Sequence, residues 1–276
     1  MLLAGAAMTA PAPAAAPPDP VPRAAVEAAI AKAGPPPAPE RPLRIVLLAD
    51  RKDHGPGAHD YPLWQEQWAP LLRAASAGAA TVAVECATNW PSEAQFAAAD
   101  AVAAFCYLPW TDERKARVRG FLARGGGLVL IHSATWTKPK PDAEVADLAG
   151  IGGFTRYRHG PIELEVAAGH PLCAGLPPRV ALTDETYWPP TPAAGRIAVL
   201  ATSPERDAEG SEPAAQPMFW TYEIGRGRVF GCVPGHFAST FGNPWFRLLL
   251  LRGIAWTARE DPRRFDGLVF EGAEAK

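Results

Sequence analysis

Short segments made almost entirely of apolar residues alternate with longer amphipathic segments in the first half of the chain. Continuous apolar segments of about four to eight residues between turn residues are typical of buried strands, whereas longer amphipathic segments indicate helices. The pattern predicts strands over 43–50, 80–86, 101–108 and 128–132 and helices over 62–75 and 111–124. This alternation predicts an α/β fold, a three-layer sandwich built on a mostly parallel sheet.

The second half of the chain has a less regular hydrophobic pattern. Between 139 and 192, the alternating segment 162–166 (IELEV) predicts a half-exposed strand. Further strands are predicted over 197–201, 218–223 and 228–233, and an apolar helix over 245–256 is expected to pack on the sheet. Residues 43–276 are enough for a single domain with a large core.

The N-terminal segment differs from the rest of the chain in its amino-acid composition. The first 42 residues contain eleven of the 31 prolines and 15 alanines. Such a segment buries too little apolar surface to offset its ordering entropy, so residues 1–42 are predicted to be disordered. The apolar start has Ala-Pro-Ala steps that resemble the end of an export signal, although it lacks a basic region. The location is left open between cytoplasmic and exported.

Charge and cysteine usage exclude several classes of partner. The formal net charge is −2 and no run of Lys or Arg is present, so we expect no nucleic-acid binding. No run of 18 apolar residues occurs, so we expect no membrane span. The four cysteines lack a CxxC spacing, and Cys86, Cys106 and Cys232 are predicted to be buried without disulfides. A homo-oligomer is compatible with this composition.

Histidines stand where predicted strands end. The segment 125–135 (GGGLVLIHSAT) places His132 at the end of a buried strand. His54 and His59 follow the first strand, and His236 follows the strand over 228–233. Because the carboxyl ends of parallel strands meet at one edge of a sheet, we expect these four imidazoles to converge.

Converging imidazoles have two chemical uses. They can ligate zinc or another divalent metal, and we take His54, His59 and His132 as the candidate ligands. Alternatively, one imidazole can act as a general acid or base near neutral pH. The spacing matches no zinc signature, so four separate structural histidines remain the alternative. No nucleotide cofactor is expected.

Three further side chains are candidates for the site. Glu185 is a candidate metal ligand or general base, and Tyr187 is a candidate hydrogen-bond donor to a sugar oxygen. Both belong to the segment 184–187 (DETY), which in the alternative interpretation is a solvated loop. Trp136 is a candidate for stacking on a sugar ring, and the alternative is a packing role.

Seven segments form a pattern whose order is more specific than any one of them. They are the loop with His54 and His59, 125–133, 157–160 (YRHG) with His159, 169–177, 184–187, 225–236 and the helix that ends near Trp256. Together these segments resemble the trehalose-utilisation (ThuA-like) family, and the resemblance covers about 43–258.

The resemblance implies a flavodoxin-like fold similar to that of class I glutamine amidotransferases. Those enzymes have a nucleophilic cysteine at the elbow after the fourth strand and a histidine after a late strand. Here His132 occupies the elbow, Ser133 follows it, and His236 matches the late histidine. Without a cysteine near the elbow, no amidotransferase activity is expected. Ser133 is a candidate nucleophile, although the flanking glycines of a GxSxG elbow are missing.

The family is linked to metabolism of disaccharides such as trehalose and their 3-keto derivatives. The resemblance therefore implies an enzyme that acts on a sugar, disaccharide or 3-keto-glycoside by hydrolysis, elimination or isomerisation. One alternative is a non-catalytic carbohydrate-binding domain, and a weaker one is a serine hydrolase. The expected partner is a small carbohydrate. The candidate catalytic residues are His132, His236, Glu185 and Ser133, and the candidate substrate-binding residues are His159, Tyr187 and Trp136.

Overall fold

The structure is a computed structural model that describes residues 18–39, 41–208 and 210–273. The expectation of an export signal near the start of the chain concerns residues outside this part. Six helices and nine strands are the main elements in the described part. They are α1 (Arg23–Ala33), β1 (Leu43–Ala49), α2 (Tyr61–Arg73), β2 (Val82–Thr88), α3 (Glu93–Ala98), β3 (Ala101–Phe105), α4 (Asp112–Ala123), β4 (Gly127–Ile131), α5 (Ala143–Ala149), β5 (Ile151–Val166), β6 (Arg179–Pro192), β7 (Ala198–Glu205), β8 (Ala214–Ile224), β9 (Gly227–Cys232) and α6 (Pro244–Thr257).

One sheet contains all nine of these strands, in the order β2-β1-β3-β4-β9-β8-β7-β5-β6. The pairs from β2 to β9 are parallel, and the pairs from β9 to β6 are antiparallel. The expectation of a mostly parallel sheet is therefore wrong, although the α/β class is confirmed. The difference arises because the irregular segment 139–192 forms two long antiparallel strands, β5 with 16 residues and β6 with 14.

Helices cover both faces of the parallel half of the sheet, which explains why β3 and β4 are buried throughout. Gly126, just before β4, and Gly127, the first residue of β4, show this, because they pack against helices on opposite faces. A Cβ atom at Gly126 would lie 2.5 Å from the Phe121 ring of α4. A Cβ at Gly127 would lie 2.3 Å from the Thr257 carbonyl oxygen of α6. Glycines at the start of β4 therefore allow close packing on both faces.

Strand β2 forms one edge of the sheet, and neighbouring side chains cover its backbone. The Val84 carbonyl oxygen accepts a hydrogen bond from Arg73 Nη2 at 2.6 Å. The Cys86 carbonyl oxygen accepts one from Gln95 Nε2 at 3.3 Å. The side chain of Cys86 is exposed at this edge, contrary to the expectation that it is buried. The expectation was correct for two other cysteines, since Cys106 and Cys232 are buried and all four thiols are free.

Part of the segment expected to be disordered forms helix α1. Val26 and Ala29 on this helix are buried, because the apolar positions 26, 29 and 30 form a stripe at helical spacing. Gly175 packs so closely that a Cβ there would lie 2.0 Å from the Ala29 carbonyl oxygen. Arg263 Nη1 also donates to the Ala33 carbonyl oxygen at 2.9 Å.

None of the helices in the described ranges has the length and hydropathy needed to span a bilayer.

Candidate metal centre

Two loops at the carboxyl edge of the parallel strands are joined by backbone hydrogen bonds. The His59 N–H donates to the His236 carbonyl oxygen at 2.9 Å. The Ala238 N–H donates to the Gly57 carbonyl oxygen at 2.8 Å. One loop follows β1 and the other follows β9, so residues far apart in sequence meet here. The ring centroids of His59 and His236 are 4.6 Å apart.

His132 occupies the turn directly after β4. Its φ is 50°, in the left-handed region that non-glycine residues rarely adopt. Thr135 Oγ1 donates to the His132 carbonyl oxygen at 2.7 Å and supports this turn. The imidazole is fully buried, and its Nδ1 lies 2.7 Å from the Val233 carbonyl oxygen. Because a carbonyl only accepts, Nδ1 donates to it, and Nε2 is the ring nitrogen that faces the site.

His59 presents its Nε2 in the same way. Its Nδ1 lies 2.8 Å from Asp53 Oδ1, and donation to that carboxylate leaves a lone pair on Nε2. The Nε2 atoms of His59 and His132 are only 2.9 Å apart. Two lone pairs at this distance repel each other unless a proton or a metal ion lies between them. A metal-binding histidine usually donates its other ring N–H to a carboxylate or carbonyl in this way, which fixes the orientation of the imidazole.

Glu185 and His236 complete the donor set. Glu185 Oε2 lies 3.2 Å from His132 Nε2 and 2.9 Å from His236 Nδ1. His236 Nδ1 is buried and lacks an aligned hydrogen-bond partner in the described chain. Zinc–nitrogen bonds are about 2.1 Å long, so two nitrogens on one ion lie roughly 3 Å apart. The donor atoms of His59, His132, Glu185 and His236, here called the four-donor cluster, all lie within 4.8 Å of one another.

The β5–β6 pair brings Glu185 to the histidines. In this pair, His159 is opposite Glu185 and Tyr157 is opposite Tyr187, so these four side chains lie on one face. The Tyr187 hydroxyl lies 2.9 Å from His132 Nε2 and donates to Glu185 Oε2 at 3.2 Å. His159 Nε2 lies 3.5 Å from Glu185 Oε1, and this side chain is half-exposed at the mouth of the site.

Burial and neighbouring charges determine the protonation of the cluster. Burial raises the pKa of Glu185, but the adjacent His132 and His236 imidazoles outweigh it and hold that pKa below its usual range. Burial and the proximity of His132 lower the pKa of His59 to about 3. Burial raises the pKa of Tyr187 well above its usual value, so its hydroxyl keeps the proton. At neutral pH the cluster therefore offers a carboxylate and a neutral His59 imidazole.

Asp184 holds the loop that carries His236. Its Oδ1 accepts hydrogen bonds from the backbone N–H groups of Gly235 at 3.0 Å and His236 at 2.9 Å. Its Oδ2 accepts one from the Thr240 hydroxyl. The Asp184 side chain is fully buried, while the next residue along β6, Glu185, reaches the imidazoles. Residues 184 and 185 of β6 thus have two roles. Glu185 is itself a donor of the cluster, and Asp184 holds the loop that carries a second donor, His236.

Some predicted site residues lie outside the four-donor cluster. The His54 side chain is 42% exposed, and its Nδ1 lies 2.8 Å from Asp53 Oδ1. Asp53, His54 and His59 form a second, outer group of candidate ligands. The Ser133 hydroxyl is buried and has no hydrogen bond to His236 in the part of the chain that the structure describes. The Ser-His pair of a serine hydrolase is therefore not assembled.

Aromatic side chains surround the mouth of the site. Trp136 is half-buried, with its ring centroid 4.8 Å from that of Tyr187. Tyr107 follows β3, and its ring centroid lies 5.8 Å from that of His59. Burial and the negative charges of Asp53 and Glu185 raise the pKa of Tyr107 to about 12. Tyr107 was not among the predicted site residues, because it falls inside the strand predicted over 101–108, whereas β3 ends at Phe105.

Solved structures show similarity in fold. A ThuA-like protein from Bacteroides uniformis ATCC 8492 aligns with a TM-score of 0.60 and 18% identity, over 83% of this chain and 98% of that one. A ThuA-like protein from Parabacteroides merdae ATCC 43184 aligns with a TM-score of 0.55 and 20% identity, over 79% and 90%. A β-galactosidase from Bacillus circulans sp. alkalophilus aligns with a TM-score of 0.53 and 13% identity, over 79% of this chain but 31% of the enzyme.

Comparison of the sequence with known families gives a specific result. No curated protein matches the sequence. The sequence model of the ThuA family, described as trehalose utilisation, matches residues 61–257, more than half of the chain. That range includes His132, His159, Glu185 and His236, while His59 lies just before it. The chain therefore belongs to the ThuA family of trehalose utilisation, which supports a role in carbohydrate metabolism.

Proposed function

We propose that this protein is a metal-dependent enzyme that acts on a sugar, disaccharide or 3-keto-glycoside. The observation that carries the proposal is the 2.9 Å separation of the His59 and His132 Nε2 atoms. Both Nδ1 atoms are already bound to acceptors, Asp53 and the Val233 carbonyl. This arrangement favours a cation between the imidazoles over two structural histidines.

The four-donor cluster is the proposed holder of the ion. Three imidazoles and one carboxylate are borderline donors that suit zinc better than calcium or magnesium. When bound, such an ion supplies Lewis acidity toward a sugar hydroxyl or carbonyl oxygen. Asp53 and the Val233 carbonyl orient two of the imidazoles, and the Tyr187 hydroxyl orients Glu185 through its hydrogen bond.

His159 is the proposed proton carrier on the substrate side. It is half-exposed, whereas the four donors are buried, and Glu185 Oε1 lies 3.5 Å from its Nε2. Hydrolysis, elimination and isomerisation all require a proton to move close to a polarised oxygen. A 3-keto group also acidifies the neighbouring C–H bond, so one positioned imidazole suffices as the base. Trp136 and Tyr187 then line the wall beside the substrate.

Metal analysis of untagged protein tests the ligand assignment. After dialysis against zinc, the protein is expected to retain one ion per chain, and His132→Ala is expected to lose it. His170→Ala is the matched control, because His170 Nδ1 accepts a hydrogen bond from the Leu172 N–H and lies in a separate turn. Loss of zinc binding in both variants, or in neither, would contradict the assignment.

Turnover of 3-keto-trehalose and of trehalose, followed by chromatography, tests the activity. Conversion that depends on zinc and on His159 is the expected result. Binding without conversion would instead make the protein a carbohydrate-binding domain. Ser133→Ala is expected to remain active because its hydroxyl is not linked to a base. Complete loss of turnover in Ser133→Ala with zinc binding intact would favour the serine route.

A further inference from the structure

Tyr157 is exposed to an unusual degree for a large aromatic residue. Its side chain is 60% exposed, and the other large exposed hydrophobic residue in the described chain, Leu63, is 37% exposed. Tyr157 lies on β5 directly opposite Tyr187, the residue that reaches His132. Its ring therefore lies on the face of the β5–β6 pair that carries the site.

Trp136 supports the Tyr157 ring from one side. The two ring centroids are 6.1 Å apart and the planes meet at 83°, an edge-to-face contact. Trp136 itself packs edge-to-face on buried Tyr187, with centroids 4.8 Å apart. Tyr157 is thus held by a chain of aromatic contacts that ends in the core, while most of its surface stays open to solvent. Such a rigid ring is suited to stacking on the apolar C–H face of a sugar.

One imidazole separates Tyr157 from the four-donor cluster. The ring centroid of His159 lies 5.9 Å from that of Tyr157 and 4.6 Å from that of His236. A sugar ring whose oxygens reach the cluster therefore lies beside His159, and the neighbouring position over Tyr157 is left for a second ring. A monosaccharide fills only the first of these positions.

We propose that Tyr157, backed by Trp136, is the stacking platform for the second ring of a two-ring substrate and selects glycosides over free monosaccharides. This inference rests on the proposed function, because it assumes that a sugar occupies the metal centre. It adds a residue outside the cluster that determines specificity. The interaction is apolar stacking, so it requires the ring of Tyr157 and not its hydroxyl.

Calorimetric titration of the zinc-loaded protein with trehalose and with glucose tests the platform. Tyr157→Ala is expected to weaken trehalose binding about tenfold, in line with the strength of aromatic contacts, and to change glucose binding less than about twofold. Tyr157→Phe is expected to bind trehalose as the unsubstituted protein does. Leu63→Ala is the matched control, because it removes exposed apolar surface on α2 and is expected to leave both affinities unchanged.

Two outcomes would overturn the role proposed for Tyr157 and leave the proposed function intact. In the first, Tyr157→Ala binds trehalose as tightly as the unsubstituted protein. In the second, it loses affinity for both sugars equally, which would place Tyr157 against the ring at the metal centre. Failure of the proposed function looks different, because zinc-loaded protein with an intact Tyr157 would then bind neither sugar and convert no 3-keto-glycoside. That result would overturn the platform as well.

Discussion

At the scale of single residues, two ligands of the proposed metal centre have unusual backbone conformations. His59 has φ 45° and His132 has φ 50°. A non-glycine residue in this region costs about 1–2 kcal/mol, and such positions cluster at functional sites. Both are held by hydrogen bonds to other loops, from the His59 N–H to the His236 carbonyl and from His132 Nδ1 to the Val233 carbonyl. These hydrogen bonds thus help to offset the cost of the two backbone conformations, which bring both imidazoles into the four-donor cluster.

Asp184→Ala tests how far the loop of His236 depends on one carboxylate. The substitution leaves the Gly235 and His236 N–H groups without their acceptor in a buried place. Each unsatisfied buried donor costs about 1–3 kcal/mol, so the free energy of unfolding is expected to fall by about 3–5 kcal/mol in urea denaturation. Zinc affinity is expected to fall about 10–100-fold, as when other residues that position metal ligands are removed.

Asp207→Ala is the control for that experiment, because Asp207 is an exposed acidic residue after β7. Its free energy of unfolding is expected to change by no more than about 0.5 kcal/mol. Should Asp184→Ala match this control in both stability and zinc affinity, the role given to Asp184 is incorrect.

The convergence of histidines could be predicted from the sequence, while their partners could not. His59, His132 and His236 follow apolar segments, and the rule that parallel strands end at one edge was enough to bring them together. The roles of Asp53 and Asp184 depend on which way a carboxylate points, and strand patterns carry no such information. His54 shows the same limit, since it shares the loop of His59 but binds Asp53 at the surface.

At the scale of elements, a glycine is required at Gly127, where α6 packs on β4, but not at Gly120, which faces open space on α4. Gly127→Ala is expected to lower the free energy of unfolding by about 2–3 kcal/mol, because its Cβ would lie 2.3 Å from the Thr257 carbonyl. Gly120→Ala, on the exposed face of α4, has no atom within 4 Å and is expected to add about 0.5–1 kcal/mol. Thermal denaturation of both variants checks the pair, and equal effects would contradict it.

Asp142 connects helix α5 to the pH dependence of stability. It caps α5 by accepting from the Glu144 and Val145 N–H groups. Burial raises the pKa of Asp142, but these N–H groups and Lys115 outweigh it and lower the pKa below its ordinary 3.8. A lowered pKa means that the charged form stabilises the folded state. This stabilisation is fully present above the unfolded-state pKa and is lost as pH falls through the folded-state pKa.

Asp142→Asn, which keeps the capping oxygen but not the charge, is therefore expected to cost about 0.5–1 kcal/mol at pH 7. The difference from the unsubstituted protein is expected to vanish in acid. Urea denaturation at a series of pH values measures it, with Asp207→Asn as the exposed control. A difference that stays constant down to acid pH would show that the charge of Asp142 plays no part.

Strands β5 and β6 were the elements that sequence patterns described least well. The pattern identified only the alternating end of β5, residues 162–166, because its middle is exposed and contains Gly160 and Pro161. Strand β6 carries buried polar residues such as Asp184 and Glu185, which resemble a loop in hydrophobicity. The polar residues that form the site therefore interrupt the hydrophobic pattern from which both strands would have been predicted. In contrast, the buried strands β1, β3 and β4 were predicted closely.

At the scale of the whole molecule, the described part of the N-terminal segment acts as a strap on the domain. Removing residues 1–34 exposes the surface that buried Val26 and Ala29 cover. The free energy of unfolding is expected to fall by about 2–3 kcal/mol, from the area of those side chains. Zinc affinity is expected to stay the same, since the contacts of α1 are with residues such as Gly175, Arg263 and Phe270. A large change in zinc affinity would link the strap to the site.

The parallel half of the sheet could be predicted from the sequence and the antiparallel half could not, and the reason is physical. Parallel strands buried on both faces leave a continuous apolar signal, and those strands were predicted from the sequence together with α2, α4 and α6 but not the short helix α3. The antiparallel half, from β5 to β8, has exposed faces and mixed composition, so its extent was underestimated. The family comparison agrees with the resemblance drawn from loop segments, which carried more specific information than the strands did.

The covered edge at β2 has a consequence for how copies of this chain meet. A sheet usually grows when a strand from another molecule docks on free backbone acceptors. Here the acceptors of Val84 and Cys86 are already occupied by a guanidinium and an amide from the same chain. An incoming strand would have to displace both. This end of the sheet therefore resists the docking of a strand from a second copy of this chain.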